Sequence, residues 1–297
     1  MRIGFCGTGR MGAPMVQRLL DLDHTLIVWN RSADKLAPLT ARGAAAAPTP
    51  AAASAGTDLV ITMLTDAAAV AAVYDGPHGL LSGKVDGQLF VDMSTVRPEV
   101  VRALAGRVTA RGAALVECPV GGTVGPAREG KLLGFAGGSA ADFARARPVL
   151  AQLCRRVEHV GPNGAGASMK LAINLPLAVY WEALGEALSL CVDAGIDTAL
   201  MLELFNESSG GANALKNRAA KVQAAIDGGR PDVGFDIDGM RKDLRSMIDE
   251  AAALGVELPL ASYAIESYDA AARAGWGGQE ASSLAAWRFG QAKARRA

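Results

Sequence analysis

The sequence is poor in cysteine, histidine and aromatic residues, and neither charge is in excess. Its 297 residues include 4 Cys and 3 His, and no two cysteines have CxxC spacing, so we expect no metal site. Lys+Arg and Asp+Glu number 30 each, which argues against nucleic acid or an anionic membrane as a partner, because both bind cationic surfaces. With 5% aromatic residues, this Ala-rich chain favours helix-rich packing over an all-β barrel.

Long uncharged apolar runs are missing as well. The N-terminus enters Gly-rich sequence without the apolar region of a secretory signal. The longest apolar stretch, 171–191, contains Glu182 and Glu186 and therefore does not predict a membrane span. We expect a cytoplasmic protein with reduced thiols.

The first half of the chain alternates short apolar runs with helical stretches. Six of these runs are brief, almost wholly apolar and bounded by Gly, Asp or Pro: 3–6, 25–29, 59–63, 89–92, 114–118 and 132–136. Such runs are typical of parallel strands covered on both faces, and the intervening residues can form crossover helices. The pattern predicts an α/β domain with a doubly wound sheet, in which the Ala/Pro-rich segment 44–57 forms a loop and a short helix.

After residue 164 the pattern becomes purely helical. One helix is predicted over 165–194, ending at Gly195 as a C-cap, and Pro176 should kink it or displace its early turns. Further helices are predicted over four segments: 198–206, 212–226, 237–254 and 259–274. We therefore predict an α/β domain over 1–162, a long interdomain helix over 163–194 and an all-α domain over 195–297.

A glycine-rich loop follows the first predicted strand and precedes a helix over 13–20. It fits GxGxxG and reads Gly7, Thr8, Gly9, Arg10, Met11, Gly12. The first glycine allows a tight turn, the second lets a pyrophosphate approach the backbone, and the third lets helix and strand pack closely. The helix N-terminus then attracts phosphates. The alternative is a merely structural turn, which the strand–turn–helix context disfavours.

The end of the second predicted strand indicates which dinucleotide is bound. NAD-preferring loops carry an acid about 20 residues further on, whereas this chain has Asn30, Arg31 and Ser32 there. Arg31 can pair with a 2′-phosphate, to which Asn30 and Ser32 can donate hydrogen bonds. The sequence favours NADP(H), with NAD(H) possible. The alternative is that Arg31 is only a solvated residue at a helix start.

The long predicted helix carries the candidate catalytic pair. Lys170 and Asn174 are four residues apart and share one helix face, after a start made of small residues. A lysine in such a cleft can give a proton to a carbonyl oxygen as hydride arrives. From spacing alone, a solvated lysine is an equally good interpretation.

Four blocks over essentially the whole chain show a resemblance that favours the catalytic interpretation. They are 7–15, 92–95, 119–123 with Gly137-Gly138 downstream, and 164–174 followed by Lys242-Asp243-Leu244. The sequence resembles the β-hydroxyacid dehydrogenase family, which includes 3-hydroxyisobutyrate dehydrogenases and tartronate semialdehyde and sulfolactaldehyde reductases. The resemblance implies a Rossmann domain joined by the long helix to an all-α substrate and dimerisation domain. It also implies a homodimer or homotetramer assembled through the helical domain.

The resemblance also implies roles for individual residues. Lys170 matches the family's catalytic lysine, and Asn174 matches an asparagine that helps to hold the substrate. The residues that match cofactor contacts are Leu64, Thr65, Thr95 and Lys242, the last reaching toward the nicotinamide end.

The loop that holds the acid group departs from the family pattern. The family often has Val-Ser-Gly-Gly, whereas this chain has Val120 followed by Gly121, Gly122 and Thr123, without the serine. Gly122 also stands where sulfolactaldehyde reductases have arginine, so we expect no strongly held sulfonate. Backbone amides of the Gly pair can still hold a carboxylate. The alternative is a simple turn after Pro119.

The sequence as a whole predicts an NADPH-preferring reductase of a small aldehyde or keto acid, reversible as a 3-hydroxyacid dehydrogenase. One alternative is an imine reductase of the same fold, which generally has Asp or Tyr at the position of Lys170. Another is a non-catalytic NADP-binding module, which would need the glycine-rich loop but neither Lys170 nor Asn174. A decarboxylating phosphogluconate dehydrogenase would have a much longer helical domain.

Overall fold

The structure is a computed structural model that describes residues 1–296. The chain divides into two compact units, Met1–Leu171 and a second unit from Ala172 onward. The first is built on a β-sheet and the second on helices, as the sequence pattern predicts. Within the described residues, no helix combines the length and apolar character needed to cross a membrane.

The first unit contains one nine-stranded, mostly parallel sheet. Its strands are β1 (Arg2–Cys6), β2 (Thr25–Trp29), β3 (Ala45–Ala46), β4 (Leu59–Thr62), β5 (Leu89–Asp92), β6 (Ala114–Glu117), β7 (Val120–Gly121), β8 (Leu132–Gly137) and β9 (Cys154–Gly161). The spatial order is β3-β2-β1-β4-β5-β6-β8-β7, with β9 paired to β8. The pairs from β3 to β6 are parallel, whereas β8 runs antiparallel to β6 and β7. This is the predicted doubly wound Rossmann order, which reverses between β1 and β4.

Helices cover the sheet of the first unit. They are α1 (Gly12–Leu20), α2 (Ala37–Thr40), α3 (Pro50–Ser54), α4 (Ala67–Asp75), α5 (Pro98–Thr109), α6 (Val124–Glu129) and α7 (Ala140–Leu153). Neighbouring residues of β4 belong to different buried clusters, Val60 to one and Ile61 to the other, because successive side chains of a strand point to opposite faces. Both faces are therefore buried, which explains the uninterrupted apolar runs.

The predicted strands agree with the structure to within one residue at each end, and three strands were missed. β9 pairs with β8 and is polar and largely exposed, so it has no continuous apolar run. β3 is a two-residue strand inside the segment predicted as loop and short helix, in which α3 is the helix. β7 also has two residues, too few to show a period.

The second unit consists of helices. The helix α8 (Ala165–Ser189) begins in the first unit and continues into the second, followed by α9 (Thr198–Glu207), α10 (Asn213–Lys216), α11 (Ala219–Ile226), α12 (Ile237–Leu254), α13 (Pro259–Ala271) and α14 (Ser283–Ala294). Among the described residues after Gly161 there is no strand. The fully buried side chains of this unit include Trp181, Leu244 and Tyr268, and the Tyr268 hydroxyl donates to the carbonyl of Ala178 at 3.1 Å.

Two helix predictions for this part of the chain need correction, and one helix was missed. α8 ends five residues before the predicted Ala194, and it runs through Pro176 rather than losing its early turns. The helix predicted over 212–226 is two helices, and α14 was missed. Pro176 has no amide hydrogen to donate to the carbonyl of Ala172. Because Ala172 is exposed, its carbonyl can accept a hydrogen bond from water instead, so the helix tolerates the proline.

Candidate active site

Most predicted site residues of the first unit lie at one edge of the sheet. The strands β1, β2, β4, β5 and β6 are parallel, so the loops that follow them meet at their carboxyl ends. These loops carry the glycine-rich loop, 30–32, 64–65, 94–95 and 118–123. Ligands of doubly wound sheets bind at this edge, beside the point where the strand order reverses.

The glycine-rich loop has the geometry that its three glycines predict. Gly7 has φ +99°, a conformation that side chains rarely allow. A Cβ at Gly12 would collide with the backbone oxygen of Gly7, so the turn needs glycine at both positions. At Gly9, by contrast, no atom of the described chain beyond its two sequence neighbours lies within 4 Å of a Cβ position, which leaves its backbone open to a ligand.

An unsatisfied hydroxyl lies in this loop. Thr8 is 2% exposed, and its Oγ1 has no hydrogen-bond partner within the described residues. Buried hydroxyls normally have one, so a ligand oxygen is the natural partner here. The cleft beside it is lined by Gly7, Gly9, the end of β2 and residues 63–65. Next to the α1 N-terminus, this environment fits the pyrophosphate of a dinucleotide.

The residues after β2 hold the glycine-rich loop in place and carry positive charge. The Asn30 side chain accepts from the Thr8 amide at 3.1 Å and donates to the carbonyl of Ser32 at 2.9 Å. Asn30 therefore ties the glycine-rich loop to the next loop, a task that sequence reasoning did not assign to it. Arg31 and Lys35 are exposed and both line the cleft. Lys35 was missed, although its spacing of four from Arg31 places it in the first turn after the strand.

A buried network holds the loops after β4 and β5. Asp92 is 1% exposed and its Oδ1 accepts from the hydroxyls of Thr62 at 2.6 Å and Ser94 at 2.7 Å. Ser94 in turn accepts from the Leu64 amide at 2.9 Å. Burial raises the pKa of Asp92, and the hydroxyl donors oppose this effect. The network fixes Leu64 and Ser94, which are followed in sequence by the predicted Thr65 and Thr95, and Leu64 and Thr65 line the cleft.

The loop predicted to hold an acid group follows β6. Gly121 belongs to β7 and pairs with Leu133, and the Phe135 amide donates to the carbonyl of Pro119 at 3.1 Å. Gly122 has φ +128°, and a Cβ there would lie 2.7 Å from Leu132 Cδ2. Thr123 precedes the first turn of α6. The backbone of this loop is thus held by β8 on one side, and its three predicted residues lie together.

The start of α8 is fastened by a residue that sequence reasoning missed. Glu117, the last residue of β6, is 1% exposed and accepts from the amides of Gly164, Gly166 and Ala167. Both the Gly166 and the Ala167 bonds measure 3.0 Å. Burial raises the pKa of Glu117 to about 7, although the three amide donors favour the carboxylate. A single acidic residue at the end of an apolar strand does not indicate that it contacts residues so far along the chain.

Lys170 and Asn174 lie one turn apart on α8 and are both buried. Lys170 is 8% exposed and Asn174 is 5% exposed. The solvated lysine allowed by the spacing is therefore wrong. A lysine ammonium is rarely buried unless it has partners or a function.

In the second unit, Asn174 belongs to a polar cluster with α12. Its Nδ2 donates to Asp243 Oδ2 at 2.8 Å, and Asp243 Oδ1 lies 2.7 Å from Lys242 Nζ. Asp243 is 2% exposed, so a buried carboxylate fixes the orientation of the Asn174 amide. The sequence drew attention to Lys242, whereas Asp243 is the residue that makes the contact with Asn174.

Comparisons with known proteins cover both units. A family model described as the NAD binding domain of 6-phosphogluconate dehydrogenase matches residues 2–161. A second, described as NAD-binding of NADP-dependent 3-hydroxyisobutyrate dehydrogenase, matches residues 164–287.

Individual relatives match over nearly their whole length. The chain is 36% identical over 266 residues to the 3-hydroxyisobutyrate dehydrogenase of Pseudomonas aeruginosa, covering 88% of this chain and 89% of the relative. It is 32% identical to the 2-(hydroxymethyl)glutarate dehydrogenase of Eubacterium barkeri, covering 96% and 93%. Its structure is similar to that of a 3-hydroxyisobutyrate dehydrogenase from Salmonella typhimurium, with TM-score 0.85, 28% identity and coverage of 96% and 99%.

Proposed function

The chain belongs to the β-hydroxyacid dehydrogenase family, and from this premise we propose that it is an NADPH-preferring reductase of small aldehyde or keto acids. Membership itself makes the protein an NAD(P)-dependent oxidoreductase that acts on hydroxyl groups. The direction, the preferred dinucleotide and the substrate class are the proposal. The reaction is reversible and yields the corresponding hydroxyacid in the reducing direction.

The observation that carries the proposal is the burial of Lys170 one turn from Asn174 on α8. Bound NADPH supplies the hydride that reduces the carbonyl carbon of the substrate. Lys170 donates a proton from Nζ to the carbonyl oxygen, and in the reverse direction it accepts that proton from the hydroxyl. Asn174, held by Asp243, orients the substrate beside Lys170. Neither an NADP-binding module nor an ordinary surface helix needs this pair.

The cleft at the end of β2 supports the preference for NADPH. Arg31 and Lys35 line it, and neither Asn30 nor Ser32 carries the negative charge that would repel a 2′-phosphate. We assign cofactor contacts to the glycine-rich loop, 30–32, 64–65 and Thr95, and Lys35 joins this set. The contact of Lys242 with the cofactor stays a prediction from the resemblance.

The acid group of the substrate is assigned to Gly121, Gly122 and Thr123. Gly122→Ala should destabilise the protein by about 1–3 kcal/mol and raise KM for the acid substrate roughly tenfold, because its backbone conformation disfavours a side chain and its Cβ would displace Leu132. The control is Gly125→Ala, since no described atom other than its neighbours and the backbone of its own helix lies within 4 Å of that Cβ. Thermal unfolding and steady-state kinetics of both variants check this. Equal KM values in the two variants would contradict the assignment.

The function is tested by NADPH oxidation with succinic semialdehyde, glyoxylate, methylmalonate semialdehyde, tartronate semialdehyde and cyclic imines. We expect turnover of at least one aldehyde acid and none of the imines. Turnover of imines alone would replace the proposal by imine reduction. Binding of NADPH without turnover of any compound would favour a non-catalytic module.

We also propose how the chain is organised for this function. Residues 1–162 bind the cofactor, 163–194 form the connecting helix that carries Lys170 and Asn174, and 195–297 contribute to substrate binding. Copies of the chain assemble through the helical domain as a homodimer or homotetramer.

A further inference from the structure

The N-terminus of the helix that carries Lys170 is capped by a side chain from a distant part of the sequence. Helix N-termini are usually capped by a side chain just before the first turn. The residue directly before α8 is Gly164, which has no side chain, and the Oδ1 of the preceding Asn163 accepts no hydrogen bond within the described residues. The acceptor is Glu117, at the end of β6, which binds the amide of Gly164 just before α8 and the amides of Gly166 and Ala167 in its first turn.

The first turn of α8 has only small side chains. Its residues Ala165, Gly166 and Ala167 have side chains no larger than a methyl group, so they bury little apolar area. The carboxyl group occupies the space left by glycine, because a Cβ at Gly137 would overlap Glu117 Oε1. The hydrogen bonds that Glu117 accepts therefore hold this turn to the end of β6, together with the buried methyl group of Ala167.

Lys170 follows the turn that Glu117 holds and is hydrogen-bonded to it through the helix backbone. In an α-helix the amide of Lys170 donates to the carbonyl of Gly166, and Gly166 is one of the residues bound by Glu117. A shift of the turn is thus passed to the backbone of Lys170. Displacing a catalytic group by about 1 Å can cost on the order of 10²-fold in rate.

Glu117 also fixes this turn against the acid-binding loop. It is the last residue of β6, and Cys118 and Pro119 lead from it into Gly121 and Gly122. The Cys118 amide is itself bound to the carbonyl of Asp92 at 2.6 Å. One side chain therefore joins the start of the catalytic helix to the start of the loop.

We propose that Glu117 is a positioning residue, which holds the first turn of α8 so that Lys170 meets the carbonyl group of a substrate bound at the Gly121–Thr123 loop. The inference rests on the proposed function, because it assumes that Lys170 delivers the proton. Glu117 does not touch the substrate, since it is 1% exposed and both of its carboxyl oxygens accept amide bonds.

The test compares Glu117→Gln with a matched control in the second unit, Glu280→Gln. Glu280 is also 1% exposed and accepts from the amides of Gly234 at 2.7 Å and Phe235 at 3.3 Å, and in addition from Arg218 Nε at 3.3 Å, but it caps no helix that carries a proposed catalytic residue. In Glu117→Gln the new amide group would face the Ala167 N–H and lose that bond. We expect kcat to fall about 10- to 100-fold, with the NADPH Kd unchanged within twofold.

Two further measurements make the result specific. Hydrogen exchange should become faster over 164–170 in Glu117→Gln and stay unchanged there in Glu280→Gln. Glu117→Asp, which keeps the charge but is one methylene shorter, should recover part of the lost kcat. If Glu117→Gln does not fold, Glu117→Asp is compared with Glu280→Gln instead, and the lower kcat is expected in Glu117→Asp.

Lys170→Ala, measured in parallel, separates the two hypotheses. If Lys170→Ala retains the wild-type rate, the proposed function fails and the inference fails with it. If Lys170→Ala is slow while Glu117→Gln keeps its kcat, the positioning role alone is wrong. An equal loss of kcat in Glu117→Gln and Glu280→Gln would also overturn it, since both would then report only lost stability.

Discussion

Replacing Lys170 by Ala is expected to lower kcat by about 10²–10⁴-fold, while the protein still folds and binds NADPH. The physical reason is that the variant loses the group that exchanges a proton with the substrate oxygen. The glycine-rich loop and the charged end of β2 are untouched. The expected effect therefore falls on kcat and not on the NADPH Kd, which a titration of tryptophan fluorescence measures.

Two further variants make this result specific. Lys170→Arg keeps the positive charge and most of the length, but a guanidinium does not give up its proton in proteins, so it should be nearly as slow as Lys170→Ala. Lys84→Ala removes an exposed lysine of the same unit and should retain the wild-type rate. A Lys170→Ala variant with undiminished kcat would remove Lys170 from the mechanism.

Local signals in the sequence were sufficient for the sheet and for the glycine-rich loop. Strands such as β2 and β5 are buried on both faces, so each is a continuous apolar run with a defined length. The requirement for glycine at position 12 comes from the backbone oxygen of Gly7 within the same motif, so the motif alone contains it. The exposed strand β9 has neither signal and was therefore missed.

The hydrogen bonds that hold the site residues in place could not be predicted from local sequence patterns, because each bond joins positions far apart in the chain. Glu117 meets the start of α8 across 47 positions, and Asn174 meets Asp243 across 69. A single carboxylate after a strand, or one on a helix, has many possible partners. Only the folded chain decides which amide or carboxyl group it meets. Sequence reasoning therefore found the groups proposed to react and missed those that hold them in place.

The second large effect is expected on the choice of dinucleotide. Arg31→Ala should lower kcat/KM for NADPH about 10- to 100-fold, which corresponds to the loss of one charge-assisted hydrogen bond to the 2′-phosphate. NADH has no 2′-phosphate, so its kcat/KM should stay within about threefold. The ratio of the two values, measured at fixed substrate concentration, reports the preference directly.

Lys35→Ala should lower kcat/KM for NADPH as well, but only by a few-fold, because an exposed ammonium pairs less strongly than a planar guanidinium.

Added salt should weaken NADPH binding to the wild type more than to the double variant Arg31→Ala/Lys35→Ala. The double variant lacks two of the positive charges whose attraction to the phosphate is screened by salt. Lys131→Ala is the control, because it removes the same charge from a side chain that is 65% exposed and paired with Glu129 outside the cleft. If Arg31→Ala lowers kcat/KM equally for NADPH and NADH, Arg31 does not bind the 2′-phosphate, and the proposed preference for NADPH loses its main support.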